Sequence, residues 1–250
     1  MINIFKIGSN ILNNPIELDR FLTEFKETEG KKILVHGGGK EATLLGEKLG
    51  VKANVIDGRR VTDKATLDIV TMVYAGLINK QIVSLLQDKG CNAVGLSGAD
   101  GKVLQAVKRS PEPVDYGYVG DLTPEMVNLD FISLLLDNGY VPVFSAICRN
   151  IEGGLLNCNA DSVANVLSQA CVKLDKVNLI FCFEMEGVLE DINNPESLIP
   201  VITPPMFSQL KQSGKISGGM IPKVYNALKA IEAGVNTVRI SRTVIRKNEE

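Results

Sequence analysis

The chain has 250 residues, 45% hydrophobic and 22% charged, enough for one large α/β domain or two lobes with a sizeable core. A net charge of −2, with acids and bases interspersed, argues against a nucleic-acid or anionic-membrane surface. A single histidine leaves no histidine-based metal site or Ser-His-Asp triad, and five cysteines without a C-x-x-C pair read as buried, reduced thiols. The N-terminus carries Lys6 in its apolar run and no signal-peptide pattern, and the apolar runs fall short of a membrane span, so a cytoplasmic protein is expected.

In chain order, 2–7 reads as a strand and 15–27 as an amphipathic helix with Pro15 near its start. A strand at 32–36 leads across "HGGG" into a helix reaching about residue 49. Residues 65–90 are strongly helical with an interruption near Gly76, and 91–97 form a strand. Segment 100–123 has hairpin character, 125–139 is a helix closed by Gly139, and 140–147 a strand. "GGLLNCNAD" opens the next helix, 176–183 is a buried strand, and a last strand lies near "NTVRIS". Such alternation predicts a mostly parallel sheet covered on both faces.

Three consecutive glycines, Gly37 to Gly39, need a reason, because glycine in a regular element costs ~0.5–1 kcal/mol relative to alanine. The loop is not a Walker A motif, since Glu41 follows Lys40 where Ser or Thr is required. It does satisfy G-x-G-x-x-A through Gly37, Gly39 and Ala42, with Asp57 at a suitable distance, which keeps a nicotinamide-dependent dehydrogenase open. Other features favour phosphoryl transfer: Lys6 beside the Gly8-Ser9 turn, a second glycine loop "GKISGGMIPK" carrying Lys223, and "NCNAD", where Asp161 and two amides cap a helix or hold a ligand. Two lysines on glycine loops suit a transition state whose charge spreads over phosphoryl oxygens.

These segments, with "GRRVTD", "LINKQIVSLL", "AVGLSGADG" and "GYVGDL" in order across residues 4–240, resemble the N-acetylglutamate kinases of the amino acid kinase family. The resemblance implies a three-layer αβα sandwich, with residues 1–174 binding the acylated amino acid and dimerising and residues 175–250 binding ATP. It implies transfer of the γ-phosphoryl group of ATP to the side-chain carboxylate of N-acetyl-L-glutamate, or another N-acyl-L-glutamate, in arginine biosynthesis. By resemblance, Gly38 and Gly39 receive the substrate, and Arg60 and Asn157 hold its α-carboxylate end. Lys6 and Lys223 neutralise the transferring charge and Asp161 positions them, while Gly8, Ser9, Glu184, Gly187, Lys215 and Ser217 face the nucleotide.

No catalytic base is needed, because the attacking carboxylate is already ionised at neutral pH. Magnesium is expected to arrive with ATP, without a protein cage. The chain departs from the family pattern at Ser9 (a glycine there) and Glu184 (an aspartate), and its last segment is short. Apolar residues Leu67, Ile69, Val70, Met72, Val73 and Tyr74 exceed one core stripe and predict a homodimer. With Lys6 already in the first strand, the N-terminal helix of hexameric, arginine-inhibited members is not expected, nor is inhibition by arginine. A non-catalytic nucleotide-binding regulator of the same fold is the other alternative.

Overall fold

A computed structural model describes residues 1–56, 58–183, 187–191, 193–216 and 220–247. Asp57, Glu184 and Ser217, singled out above, lie outside the described residues.

The chain opens with β1 (Ile2–Ile7), a short helix α1 (Ser9–Leu12) and α2 (Pro15–Glu27), then β2 (Lys31–His36) and α3 (Gly39–Lys48). A small hairpin, β3 (Asn54–Ile56) and β4 (Arg59–Val61), precedes a continuous helical rod. The rod consists of α4 (Lys64–Thr71), a π-helical stretch Met72–Ile78 and α5 (Asn79–Asp88). The break expected near Gly76 is therefore a change of helix type, with the chain axis unbroken. Next come β5 (Ala93–Leu96), β6 (Gln105–Lys108), β7 (Gly120–Asp121), α6 (Leu129–Asp137), β8 (Val141–Ser145), β9 (Ile147–Asn150) and β10 (Leu155–Asn157). The remainder is α7 (Ala160–Cys171), β11 (Val177–Cys182), β12 (Val201–Ile202), α8 (Pro204–Gln212), α9 (Met220–Glu232), β13 (Thr237–Ile240) and β14 (Thr243–Ile245).

Eight strands form one sheet in the order β12-β14-β13-β11-β1-β2-β8-β5, and β6, β7, β9 and β10 form a smaller one. All neighbours in the large sheet run parallel except β13 and β14. The sheet crosses residue 174 without a seam, since β11 pairs directly with β1 from Ile2↔Val177 to Ile7↔Cys182.

The alternation of side chains on β1 and β2 builds the three layers. Ile2, Ile4, Ile33 and Val35 face a core shared with α6, α7, α8 and α9. Ile7 and Leu34 face the opposite core, shared with α2 and the helical rod. On that side Phe5 meets Phe21 and Phe25 of α2 edge-on, at 6.1 and 5.0 Å between ring centroids. The sheet is apolar on both faces, as parallel strands must be when helices cover both sides.

Of the six apolar residues whose number predicts a second subunit, Leu67, Ile69, Val70, Val73 and Tyr74 are buried within this one and Met72 is exposed. The rod packs on α3 and on β10 as well as on the sheet, so it has more than one apolar partner inside the subunit.

Candidate active site

Two cavities open beyond the carboxyl ends of the central strands, where open α/β sheets bind their ligands. The first, about 330 Å³, is lined by Lys6 of β1 with Gly8 and Ser9 just after it, Phe183 and Gly187 after β11, and Met220 and Lys223 on α9. The second, about 220 Å³, is lined by Gly37, Gly38 and Gly39, Arg59 and Arg60, Tyr74, Asn157 and Asn159. Lys6 lies beside Val35 in the β1–β2 register, one pair before Ile7 meets His36, so the two cavities are a strand apart.

The glycine loop is built from beneath. Gly38 has φ +155°, and a Cβ there would stand 2.3 Å from Ile78 Cδ1 and 2.8 Å from Tyr74 Cδ1, both in the π stretch. Gly37 and Gly39 are not forced in this way: a Cβ on either would find ordinary contacts at 3.8 Å. Gly38 is also the N-cap of α3, and having no side chain it leaves the first-turn N–H groups uncapped. An anion is the natural partner for that helix end.

His36, fully buried, fixes how the loop faces. Asn79 Nδ2 donates to Val143 O at 2.9 Å and to His36 Nε2 at 3.0 Å. With Nε2 thus an acceptor, the ring proton sits on Nδ1 and is donated to Gly37 O at 2.8 Å. A trans peptide points its N–H opposite to its C=O, so the Gly38 N–H is turned away from the histidine. Burial, aided by the nearby Lys80 charge and opposed by the Gly37 bond, pulls the His36 pKa from 6.5 down to about 4. The ring is neutral at physiological pH. Gly95 makes room for this network, since a Cβ there would lie 1.9 Å from Asn79 Oδ1.

Three distant motifs converge on the second cavity. Arg60 Nη2 donates to Gly39 O at 2.8 Å and to Thr43 Oγ1 at 2.6 Å, which aims the guanidinium along the glycine loop. Asn157 Nδ2 donates to Thr62 Oγ1 at 3.0 Å. The "GYVGDL" segment closes the wall through bridges Thr62↔Gly117 and Val119↔Asn157. Of the two amides in "NCNAD", Asn159 caps α7, accepting from Asp161 N at 2.9 Å and Ser162 N at 3.1 Å.

Between the cavities stands a charge cluster. Lys6 Nζ is 2.7 Å from Asp161 Oδ1, with the lysine side chain only 12% exposed. Lys223 is half-buried, and that burial holds its pKa below the usual lysine value, with Asp161 pulling it up and Lys6 pushing it down. Lys215 does not join them: it forms an exposed ion pair with Glu190 at 2.5 Å.

A sequence profile of the amino acid kinase family matches residues 1–241. The chain belongs to the amino acid kinase family. Within that family it is 46% identical to an acetylglutamate kinase of Phocaeicola vulgatus over 98% of both chains. It is 47% identical to an acetylglutamate kinase of Cytophaga hutchinsonii over 95% of this chain and 89% of that one. The crystal structure of smu.665 from Streptococcus mutans matches the fold with a TM-score of 0.78 at 27% identity, covering 99% of each chain. The family's mostly parallel, helix-covered sheet is the architecture expected from the sequence. The dehydrogenase and regulator alternatives are not favoured by these relatives.

The sequence assigns no role to Phe183, counts Tyr74 only among the apolar residues of its helix, and excludes His36 from metal-site and triad chemistry without giving it another task. Tyr74 reaches the glycine loop because α3 packs on the π stretch, a contact that periodicity does not show. The place of His36 was announced by its position directly before the glycines.

Proposed function

We propose that this chain is an ATP-dependent kinase of N-acetyl-L-glutamate, converting its side-chain carboxylate to an acyl phosphate in arginine biosynthesis. The observation that carries this reading is the Lys6–Asp161–Lys223 cluster set between two cavities, beside the uncapped N-terminus of α3. The acylated amino acid occupies the cavity of Arg60 and Asn157, and the nucleotide the cavity of Gly8, Ser9 and Gly187. The division of labour between residues 1–174 and 175–250 belongs to the same proposal.

In the reaction a carboxylate oxygen attacks the γ-phosphorus as the bond to the ADP oxygen breaks. The Gly38 and Gly39 N–H groups meet the negative charge near the attacking oxygen. Lys6 and Lys223 neutralise the phosphoryl oxygens, and Asp161 holds Lys6 in place. Such fixed charges, aimed before the reaction starts, are the main source of catalysis in phosphoryl transfer. Arg60 has donors left to take the α-carboxylate, a task suited to its planar fork. Magnesium, carried by the nucleotide's phosphates, supplies further charge neutralisation.

The test is a coupled assay of ADP release with hydroxylamine trapping of the acyl phosphate, run with N-acetyl- and N-succinyl-L-glutamate side by side. Turnover of the acetyl substrate is expected, and turnover of neither would sink the reading. A cytoplasmic homodimer is part of the proposal: Met72, Leu77 and Leu85 leave an apolar row exposed on the rod, and all five cysteines are unpaired.

A further inference from the structure

Directly after β11 stands Phe183, whose ring lies under both ammonium groups of the cluster. Lys223 Nζ is 3.8 Å and Lys6 Nζ 5.4 Å from its centroid. The face of an aromatic ring is electrically negative and attracts a cation within about 6 Å, more strongly where water is excluded. The ring is itself held from several sides. It stacks on Phe181 at 6.3 Å with 8° between planes. Its backbone N–H donates to Ser241 Oγ at 3.3 Å. Its edge lies 3.6 Å from where a Cβ on Gly8 would stand.

The cluster has a charge problem that this ring addresses. Two cations converge on one carboxylate, and Lys6 is paired with it at 2.7 Å. Among the described residues, the charged groups that face Lys223 are Asp161 from α7 and Lys6 from β1. Met220 of its own helix and Ile240 of β13 add apolar wall. Burial outweighs the attraction of Asp161, so Lys223 is pushed towards its neutral form. Every contact that favours the ammonium form therefore helps to keep its charge available to a transferring phosphoryl group.

We propose that Phe183 is a positioning residue, whose ring holds the Lys223 ammonium, and more loosely that of Lys6, charged and aimed into the nucleotide cavity. The inference rests on the kinase reading for the role of Lys223, while the ring–ammonium contact itself does not. Phe183 touches no reacting atom and acts through the lysines.

The experiment compares the wild-type chain with Phe183→Leu, Phe183→Met and Phe183→Tyr. Methionine keeps volume and flexibility without an aromatic face, and it serves where the leucine variant does not fold. The first readout needs no turnover: the pH dependence of reductive methylation at Lys223, followed by peptide mass spectrometry. Loss of the ring should move the midpoint of that curve to lower pH in the Leu and Met variants, and leave it in place in Phe183→Tyr. The direction separates the causes: losing the ring's attraction lowers the midpoint, whereas better hydration of an uncovered ammonium would raise it. The second readout is kcat, expected to fall roughly tenfold in the Leu and Met variants with the KM for acylglutamate unchanged. Its alkaline limb should move down by the same amount as the methylation midpoint. An unmoved midpoint, or a tyrosine variant as impaired as leucine, overturns the proposal. Absence of turnover in the wild type would instead strike the kinase reading, with the methylation curves still deciding the part played by the ring.

Discussion

At the scale of single residues, each group in the site is defined by what its neighbours leave it free to do. Lys223→Ala should lower kcat by about 100- to 1,000-fold with little change in KM, since its charge matters as the transition state forms. Arg60→Ala should do the reverse, raising the KM for the acylated amino acid roughly 10- to 100-fold, the cost of a lost charge-assisted hydrogen bond. Steady-state kinetics of both variants separate the two roles. Gly38→Ala should be severe, because its methyl group meets Ile78 Cδ1 at 2.3 Å in a backbone conformation that L-residues avoid. Gly37→Ala should cost little stability, and urea unfolding of the pair checks the contrast. His36 gives the chain a pH signature. Its folded pKa of about 4 lies below the ordinary 6.5, so between those values the unfolded chain takes up a proton that the folded one refuses. Stability should therefore fall as pH drops from about 6.5 towards 4, by up to about 3 kcal/mol. Denaturation midpoints across that range measure it, and a flat profile would contradict the neutral ring.

Among elements, the helical rod and α7 do the positioning. Asn159→Ala should remove the cap of α7 and cost about 1 kcal/mol, read by thermal unfolding, with Asp161 loosened against Lys6 as a second effect. Legibility in the sequence was uneven at this scale. Strands β1, β2, β8 and β11 are evident as short apolar runs bounded by glycine or a charged turn, and the Gly loop marks the start of α3, which the structure leaves without a side-chain cap. The π stretch is not evident, because "MVYAGLI" has the same apolar content whichever way it winds. Its winding is decided by packing, with Tyr74 and Ile78 pressed against Gly38. The partnership of Phe183 with two lysines was invisible for a related reason: Lys6 and Lys223 reach it from opposite ends of the chain.

For the molecule as a whole, a homodimer joined through the exposed row of Met72, Leu77 and Leu85 should give twice the mass of 27.1 kDa by light scattering at micromolar concentration. Leu77→Glu should reduce that mass to the monomer's, and a wild-type monomer would refute the interface. The central place of β1 has a temporal consequence. Its partner β11 lies some 175 residues later in the chain, yet the two pair along their whole length. At roughly 5–20 residues per second, a ribosome needs roughly 10 to 35 s after making β1 before β11 can leave it. During that interval one edge of an apolar strand waits without its neighbour. Asp161 on α7 is made just before β11, but Lys223 on α9 follows it, so the charge cluster is completed later still. The site is thus among the last parts of the molecule to exist. A nascent chain stalled before α9 should hold a folded β1–β2 layer and have no capacity to transfer a phosphoryl group.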